Sequence, residues 1–237
     1  MIPAFFKKIF PDTFKRNIKE HLGVPSLHWS LMNIKRLGFT PHFALDVGAY
    51  EGEWALSFIE VFPEAKVLMF EAQSQKEEKF KELSKQYPNL SYHIALLSAQ
   101  NGKKLFFNEN ETASHVTGSS GANTKEVISE SLDEIIKKKE LPFPDFLKLD
   151  VQGFEMEVLN GGRQCLLHAD FCLLEVTMID VGNSLLVLEV MNYMDSQGFK
   201  LYDIIQLMRR PYDKALYQSD FLFIKKSSPL IAARRWD

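Results

Sequence analysis

The chain has 237 residues, of which 46% are hydrophobic and 25% charged, with a formal net charge of -3; it is long enough for a sizeable core without metals or disulfides. The faintly acidic balance supplies no general basic face, so no nucleic-acid partner is expected. Two cysteines, Cys165 and Cys172, without zinc spacing fit buried small hydrophobes and a reducing, cytoplasmic setting, and no apolar run nears the roughly 20 residues that span a bilayer.

Residues 1–25 read as a basic and aromatic arm. Phe5, Phe6, Ile9, Phe10 and Phe14 alternate with Lys7, Lys8, Lys15, Arg16 and Lys19. That much charge argues against a secretory signal. Such a mixture can make weak contact with an anionic membrane surface, or pack on its own domain or on a second subunit, which leaves an oligomer open. Pro11 interrupts any continuous helix there.

Residues 26–237 read as one domain. Ser26–Leu37 has helical character, with Ser26 as N-cap and Gly38 just past the end. A strand over His42–Val47 follows, then helical spacing of Trp54, Phe58 and Val61 up to Pro63. Lys66–Glu71 is a second strand, Gln75–Tyr87 a charged helix and Leu90–Ala95 a third strand. This alternation implies parallel strands with right-handed helical crossovers.

The middle is less regular. Lys103–Phe107 reads as a strand and Glu126–Ser129 as a short one, with the polar stretch Asn108–Thr124 between them. A loop of that length inside a compact domain is usually functional or mobile. Ser131 is placed to cap a helix over Leu132–Lys139. Then come a strand at Asp145–Val151, a helix at Phe154–Leu159, a strand at Asp170–Thr177 and a helix from Asn183 to Ser196. Strands near Phe199–Ile204 and Tyr217–Lys225 close the chain; the short connection between them predicts antiparallel pairing.

Three features carry chemistry. The turn DVGAYEG, Asp46–Gly52, has glycines that let backbone approach a ligand over the following helix. Its GxxxG spacing differs from the GxGxxG of dinucleotide sites, which argues against an NAD-dependent oxidoreductase. Glu71 ends the next strand, about 20 residues on, where a carboxylate can accept from both hydroxyls of a ribose. Asp150, within LKLDVQGFE, stands at the carboxyl end of a central strand, where ligands of open α/β sheets bind. It can contact an amino group, orient an acceptor or take its proton. Glu155 follows in the first helical turn, where its plain role is to offset the helix dipole.

These motifs, with FEA at 70–72, LKLDVQGFEMEVLNGG at 147–162, LLEV at 173–176 and SDFLFI at 219–224, resemble the FkbM-family methyltransferases from about Leu37 to Lys225. The resemblance implies a Rossmann-like class I methyltransferase sheet, mostly parallel with an antiparallel last strand and helices on both faces. It implies S-adenosyl-L-methionine as cofactor and O-methylation of a sugar, glycan or polyketide-like small molecule. Asp46, Gly48 and Gly52 would then line the methionine end and Glu71 the ribose, with Ala49, Tyr50, Ala72, Ala95, Leu96 and Asp150 as the other cofactor-binding positions. The chain departs from the family at Tyr50, usually Asn, at Ala72–Gln73, where a Pro is common, and at Gln152, often acidic. The last argues against a metal site shared with Asp150, and no metal is expected.

A hydroxyl acceptor benefits from a base within hydrogen-bond reach. The candidates are Asp150, His115 in the polar loop and Glu175 at the end of an apolar strand. His115 also reads as an ordinary surface histidine, and Glu175 as an ion-pair partner. Tyr50 or Trp54 can face a sulfonium by cation–π attraction, although Trp54 also reads as core. A non-catalytic nucleoside-binding protein is the competing reading.

Overall fold

The computed structural model describes residues 24–110, 114–117, 121, 124–180 and 186–232. The arm proposed over residues 1–25 lies almost wholly outside them. The described elements run α1 (Leu27–Arg36), β1 (Phe43–Val47), α2 (Glu53–Val61), β2 (Lys66–Glu71), α3 (Glu77–Gln86), β3 (Leu90–Ile94), β4 (Lys104–Asn108), β5 (His115–Thr117) and β6 (Thr124–Ile128). They continue with α4 (Leu132–Lys138), β7 (Phe146–Leu149), α5 (Glu155–Gly161), α6 (Arg163–His168), β8 (Phe171–Thr177), α7 (Val187–Ser196), β9 (Phe199–Arg209) and β10 (Leu216–Lys225).

The main sheet has seven strands in the order β3-β2-β1-β7-β8-β10-β9. The pairs β2–β3, β1–β2, β1–β7 and β7–β8 are parallel, and β10 runs antiparallel to both β8 and β9. The last strand is therefore the reversed one, inserted between β8 and β9. All five residues of β1 and all four of β7 are buried, as strands covered on both faces must be. One apolar cluster joins Leu45, Phe70, Leu149 and Val176 to residues of α4, α5, α6 and α7. The other joins Ala44, Met69, Phe146 and Leu222 to residues of α1, α2 and α3. Helices thus cover both faces.

Ser26 caps α1 as expected, its hydroxyl accepting from the Trp29 N–H at 3.3 Å. Ser131 does not cap α4 through its side chain. Instead its own N–H donates to Asn101 Oδ1 at 2.6 Å, which fixes the entry to α4 from a different loop. The polar stretch 108–124 is not featureless: His115–Thr117 forms β5, and β5-β4-β6 make a separate three-stranded antiparallel sheet. The helix after β7 ends at Gly161, and α6, which the periodicity does not separate, follows directly. The start proposed for α7 at Asn183 falls outside the described residues; the helix is described from Val187. β9 extends to Arg209 because β10 supplies partners along that length. Cys165 and Cys172 are both free and buried, and burial pushes both thiols up. Among the described residues, no helix is long and apolar enough to cross a membrane.

Candidate active site

The carboxyl ends of β1, β2 and β7 meet at the turn that follows β1. Gly48 has φ of 75°, and a β-carbon on it would stand 1.8 Å from the carbonyl oxygen of Asp150. Gly52 has φ of 80°, and a β-carbon there would stand 2.7 Å from Leu83 Cδ1. Both positions are closed to an ordinary side chain by conformation and by space. The close approach these glycines permit is to the chain itself, and it brings the first turn against the end of β7.

Glu71 fastens the same turn. Its two carboxylate oxygens accept from the Tyr50 N–H at 2.8 Å and the Gln73 N–H at 2.9 Å. The side chain is buried and lines the cleft, and each oxygen keeps a second lone pair beyond these bonds. Tyr50 adopts φ of 49° to make this contact. Its ring is covered by the Lys76 ammonium, 3.9 Å from the ring centroid, and Lys76 also pairs with Glu51 at 2.9 Å. The cation–π role considered for Tyr50 is thus met by a residue of the chain.

A cleft of about 760 Å³ opens above these strand ends. Gly48, Ala49, Tyr50, Glu71, Ala72, Ala95, Leu96 and Asp150 line it, as do His115 and Glu175. Two expected lining residues do not. Asp46 is fully buried behind the turn, and Gly52 packs on α3. His115 reaches the cleft from β5 and is exposed, so the small sheet overhangs the opening. Trp54 stacks on Phe58 and packs on Phe146, in line with the core reading, and it also borders the cleft.

Sequence reasoning overlooked Lys148 and Asp220, and it weighed Gln152 only as a departure from the family. Lys148 lies in the β7 wall with its Nζ 2.9 Å from Asp46 Oδ1, and it donates to the Gly48 carbonyl at 2.8 Å. Burial opposes its charge, but Asp46 and then Asp150 outweigh that and hold the ammonium above its ordinary value. A cation inside the otherwise apolar FLKL strand was the available signal. Gln152, at φ of 54°, donates from Nε2 to both Asp150 Oδ1 and Glu175 Oε2, each at 3.0 Å. An amide can bridge two carboxylates where an acid would repel them. Asp220 faces Glu175 across the β8–β10 register and lines the same cleft.

Asp150, Glu175 and Asp220 form one electrostatic unit. Burial pushes the Glu175 carboxyl up to about 9, reinforced by Asp150 and Asp220. Burial and then Asp150 push Asp220 up to about 7, against the pull of Lys148. Burial and its two acidic neighbours thus favour the protonated form of Glu175. Glu155 is buried, and its Oε1 accepts from the N–H groups of Val151 and Gly153 at 3.1 and 3.2 Å. It shapes the turn after β7 and does not line the cleft. No group of three or more His, Cys, Asp or Glu side chains suited to a metal ion occurs among the described residues.

The profile of the methyltransferase FkbM domain matches residues 46–201. A curated relative, the hexuronic acid methyltransferase AglP of Haloferax volcanii, is 36% identical over 62 residues, covering 26% of this chain and 25% of that protein. The chain thus matches about a quarter of that relative's length. Among solved structures, the precorrin-6y C5,15-methyltransferase of Geobacter metallireducens is 11% identical at a TM-score of 0.49, covering 84% of this chain and 88% of that one. Fibrillarin of Aeropyrum pernix, solved with S-adenosyl-L-methionine, is 10% identical at a TM-score of 0.47, covering 79% of this chain and 68% of that one. With the domain profile spanning well over half of its length, the chain belongs to the FkbM methyltransferase family.

Proposed function

We propose that the protein transfers the methyl group of S-adenosyl-L-methionine to a hydroxyl oxygen of a sugar, glycan or polyketide-like small molecule. The observation that carries this reading is the placement of Glu71, a buried acid whose two oxygens are anchored by backbone yet border the cleft. That donor set fits the cofactor. Glu71 would hold the ribose hydroxyls, and the apolar wall of Ala72, Ala95 and Leu96 would take the adenine. The acidic lining also suits a ligand with a sulfonium cation.

When bound, the cofactor supplies an activated methyl group that needs no covalent help from the protein. The chain's task is alignment, an effect worth up to about 7–11 kcal/mol when two reactants are held in line. The turn held by Gly48 and Glu71 sets the donor side. Asp150, positioned through Gln152 and with Lys148 Nζ 3.9 Å from its Oδ2, receives the acceptor proton. Glu175, its protonated form favoured by burial, orients the acceptor by donating a hydrogen bond. His115 overhangs this region from β5 and contributes to closing it. The sugar part of the reading is supported by the partial match to a hexuronic acid methyltransferase.

Residues 1–25 are proposed as an appendage to a catalytic domain over 26–237 in a cytoplasmic protein. Transfer of a labelled methyl group from S-adenosyl-L-methionine to a panel of hydroxylated acceptors tests the reading. Labelled product is expected. Tight cofactor binding without transfer to any acceptor would favour a non-catalytic binder.

A further inference from the structure

We propose that the tip of the β9–β10 hairpin, residues 206–214, docks the protein on an anionic lipid surface. This docking goes beyond methyl transfer and does not depend on which acceptor the cleft takes. The two strands pair antiparallel out to Arg209 and Leu216, and the chain reverses between them. The Arg210 N–H donates to the Ala215 carbonyl and the Lys214 N–H to the Arg210 carbonyl, each at 3.1 Å. Arg209 Nη1 donates to the Lys214 carbonyl at 3.0 Å, and Arg210 forks onto Asp213 at 2.8 and 2.6 Å. The tip is therefore a closed turn whose side chains are ordered before any contact, which lowers the cost of binding.

What it displays is apolar. Leu207 is 47% exposed, Met208 51% and Tyr212 90%, three large hydrophobic side chains within six residues. Gln206, Leu207, Met208 and Arg209 are exposed in succession. Successive side chains of a strand point to opposite faces, so neither face of this strand end is covered. Exposed apolar groups gathered in one place and rimmed by polar ones mark a contact surface.

Charge identifies the partner. Residues 206–214 carry Arg209, Arg210 and Lys214 against a single acid, Asp213, in a chain of net charge -3. A basic spot on an acidic protein complements an anionic surface. Leu207 and Met208 can enter the boundary between headgroups and acyl chains, Tyr212 suits the headgroup level, and the cations meet lipid phosphates. A second copy docked tip to tip would bring the same three cations together. A nucleic acid would pair with the cations and leave Leu207 and Met208 in water. The lipid surface satisfies both sets. Gln206 and Met208 also border the cleft, as do Tyr217 and Gln218 farther down the hairpin, so docking by the tip sets the cleft mouth beside the lipid surface.

Residues 1–23 and 233–237 also contain cations and aromatic side chains, and variants confined to the hairpin separate its contribution from theirs. The full chain is sedimented with vesicles of phosphatidylcholine alone and of phosphatidylcholine with about one-third phosphatidylglycerol. Partitioning onto the anionic vesicles is expected to be at least about tenfold stronger and to weaken with added salt. The double variants Leu207→Ser, Tyr212→Ser and Arg209→Gln, Lys214→Gln should each lower it about fivefold or more, with circular dichroism and S-adenosylhomocysteine binding unchanged. No preference for the anionic vesicles overturns the proposal, as does undiminished partitioning of either folded variant. Sedimentation equilibrium that shows a wild-type dimer and a monomer for Leu207→Ser, Tyr212→Ser would assign the tip to a second copy and overturn it as well.

Discussion

Lys148 stands opposite Asp46 in the β1–β7 register, and the two side chains meet at 2.9 Å beneath the turn that carries Gly48. Both are buried, and the lysine also holds the Gly48 carbonyl. The pair therefore acts as the floor of the site more than as a source of net stability, since desolvation offsets much of the attraction. Lys148→Met leaves the Asp46 carboxylate buried without its cation. We expect a loss of about 3–5 kcal/mol in chemical denaturation, partly recovered when Asp46→Asn is added. A single-variant loss below 1 kcal/mol would contradict the pairing.

Gly48→Ala introduces a β-carbon 1.8 Å from the Asp150 carbonyl at a φ of 75°. Backbone cannot swing aside as a side-chain tip can, so overpacking of at least about 1–3 kcal/mol is expected. Thermal unfolding should show the loss, and the residual folded protein should bind S-adenosylhomocysteine more weakly. A variant of wild-type stability would mean that the turn does not press on β7.

Asp150→Asn removes the proposed proton acceptor with little change of volume. Its turnover should fall about 10²-fold or more, the range for a positioned general base, while far-UV circular dichroism and the unfolding midpoint stay near wild type. Near-native turnover would assign the proton to another group of the cluster.

Glu175 and Asp220 hold their protons more tightly in the folded chain than ordinary carboxyls do, up to about 9 and about 7 respectively. Unfolding releases those protons, so both groups make stability fall as pH rises from the ordinary carboxyl range through those values. Denaturation at pH 5, 7 and 9 should show a decline across the series in wild type and a flatter upper limb in Glu175→Gln. A limb between pH 7 and 9 that is as steep in the variant would remove Glu175 as its source.

Much of the cleft lining was legible in the sequence, Glu71, Asp150, His115 and Glu175 included, and the contribution of β10 was not. The β1–turn–α2–β2 unit announces itself because the apolar period switches at Gly48–Gly52 and an acid ends the second strand. Those signals are local. Asp220, by contrast, joins Glu175 only through the antiparallel β8–β10 register, which no local pattern specifies. Lys148 was visible as a cation in a buried strand, but its partner Asp46 lies 102 positions away and is set by parallel pairing. β5 escaped because a short, polar edge strand carries no apolar alternation. Ser131 makes no side-chain cap, and the contact it does make, from its N–H to Asn101 of another loop, has no local sequence signal.

Calorimetric titration of S-adenosylhomocysteine into the wild-type protein and Glu71→Ala addresses the ribose assignment most directly. Loss of charge-assisted hydrogen bonds worth about 1.5–3 kcal/mol each should weaken binding by about tenfold or more, with the chain still folded by circular dichroism. Equal affinity in the folded variant, or no binding to the wild type, would contradict the placement of an adenosyl group against Glu71.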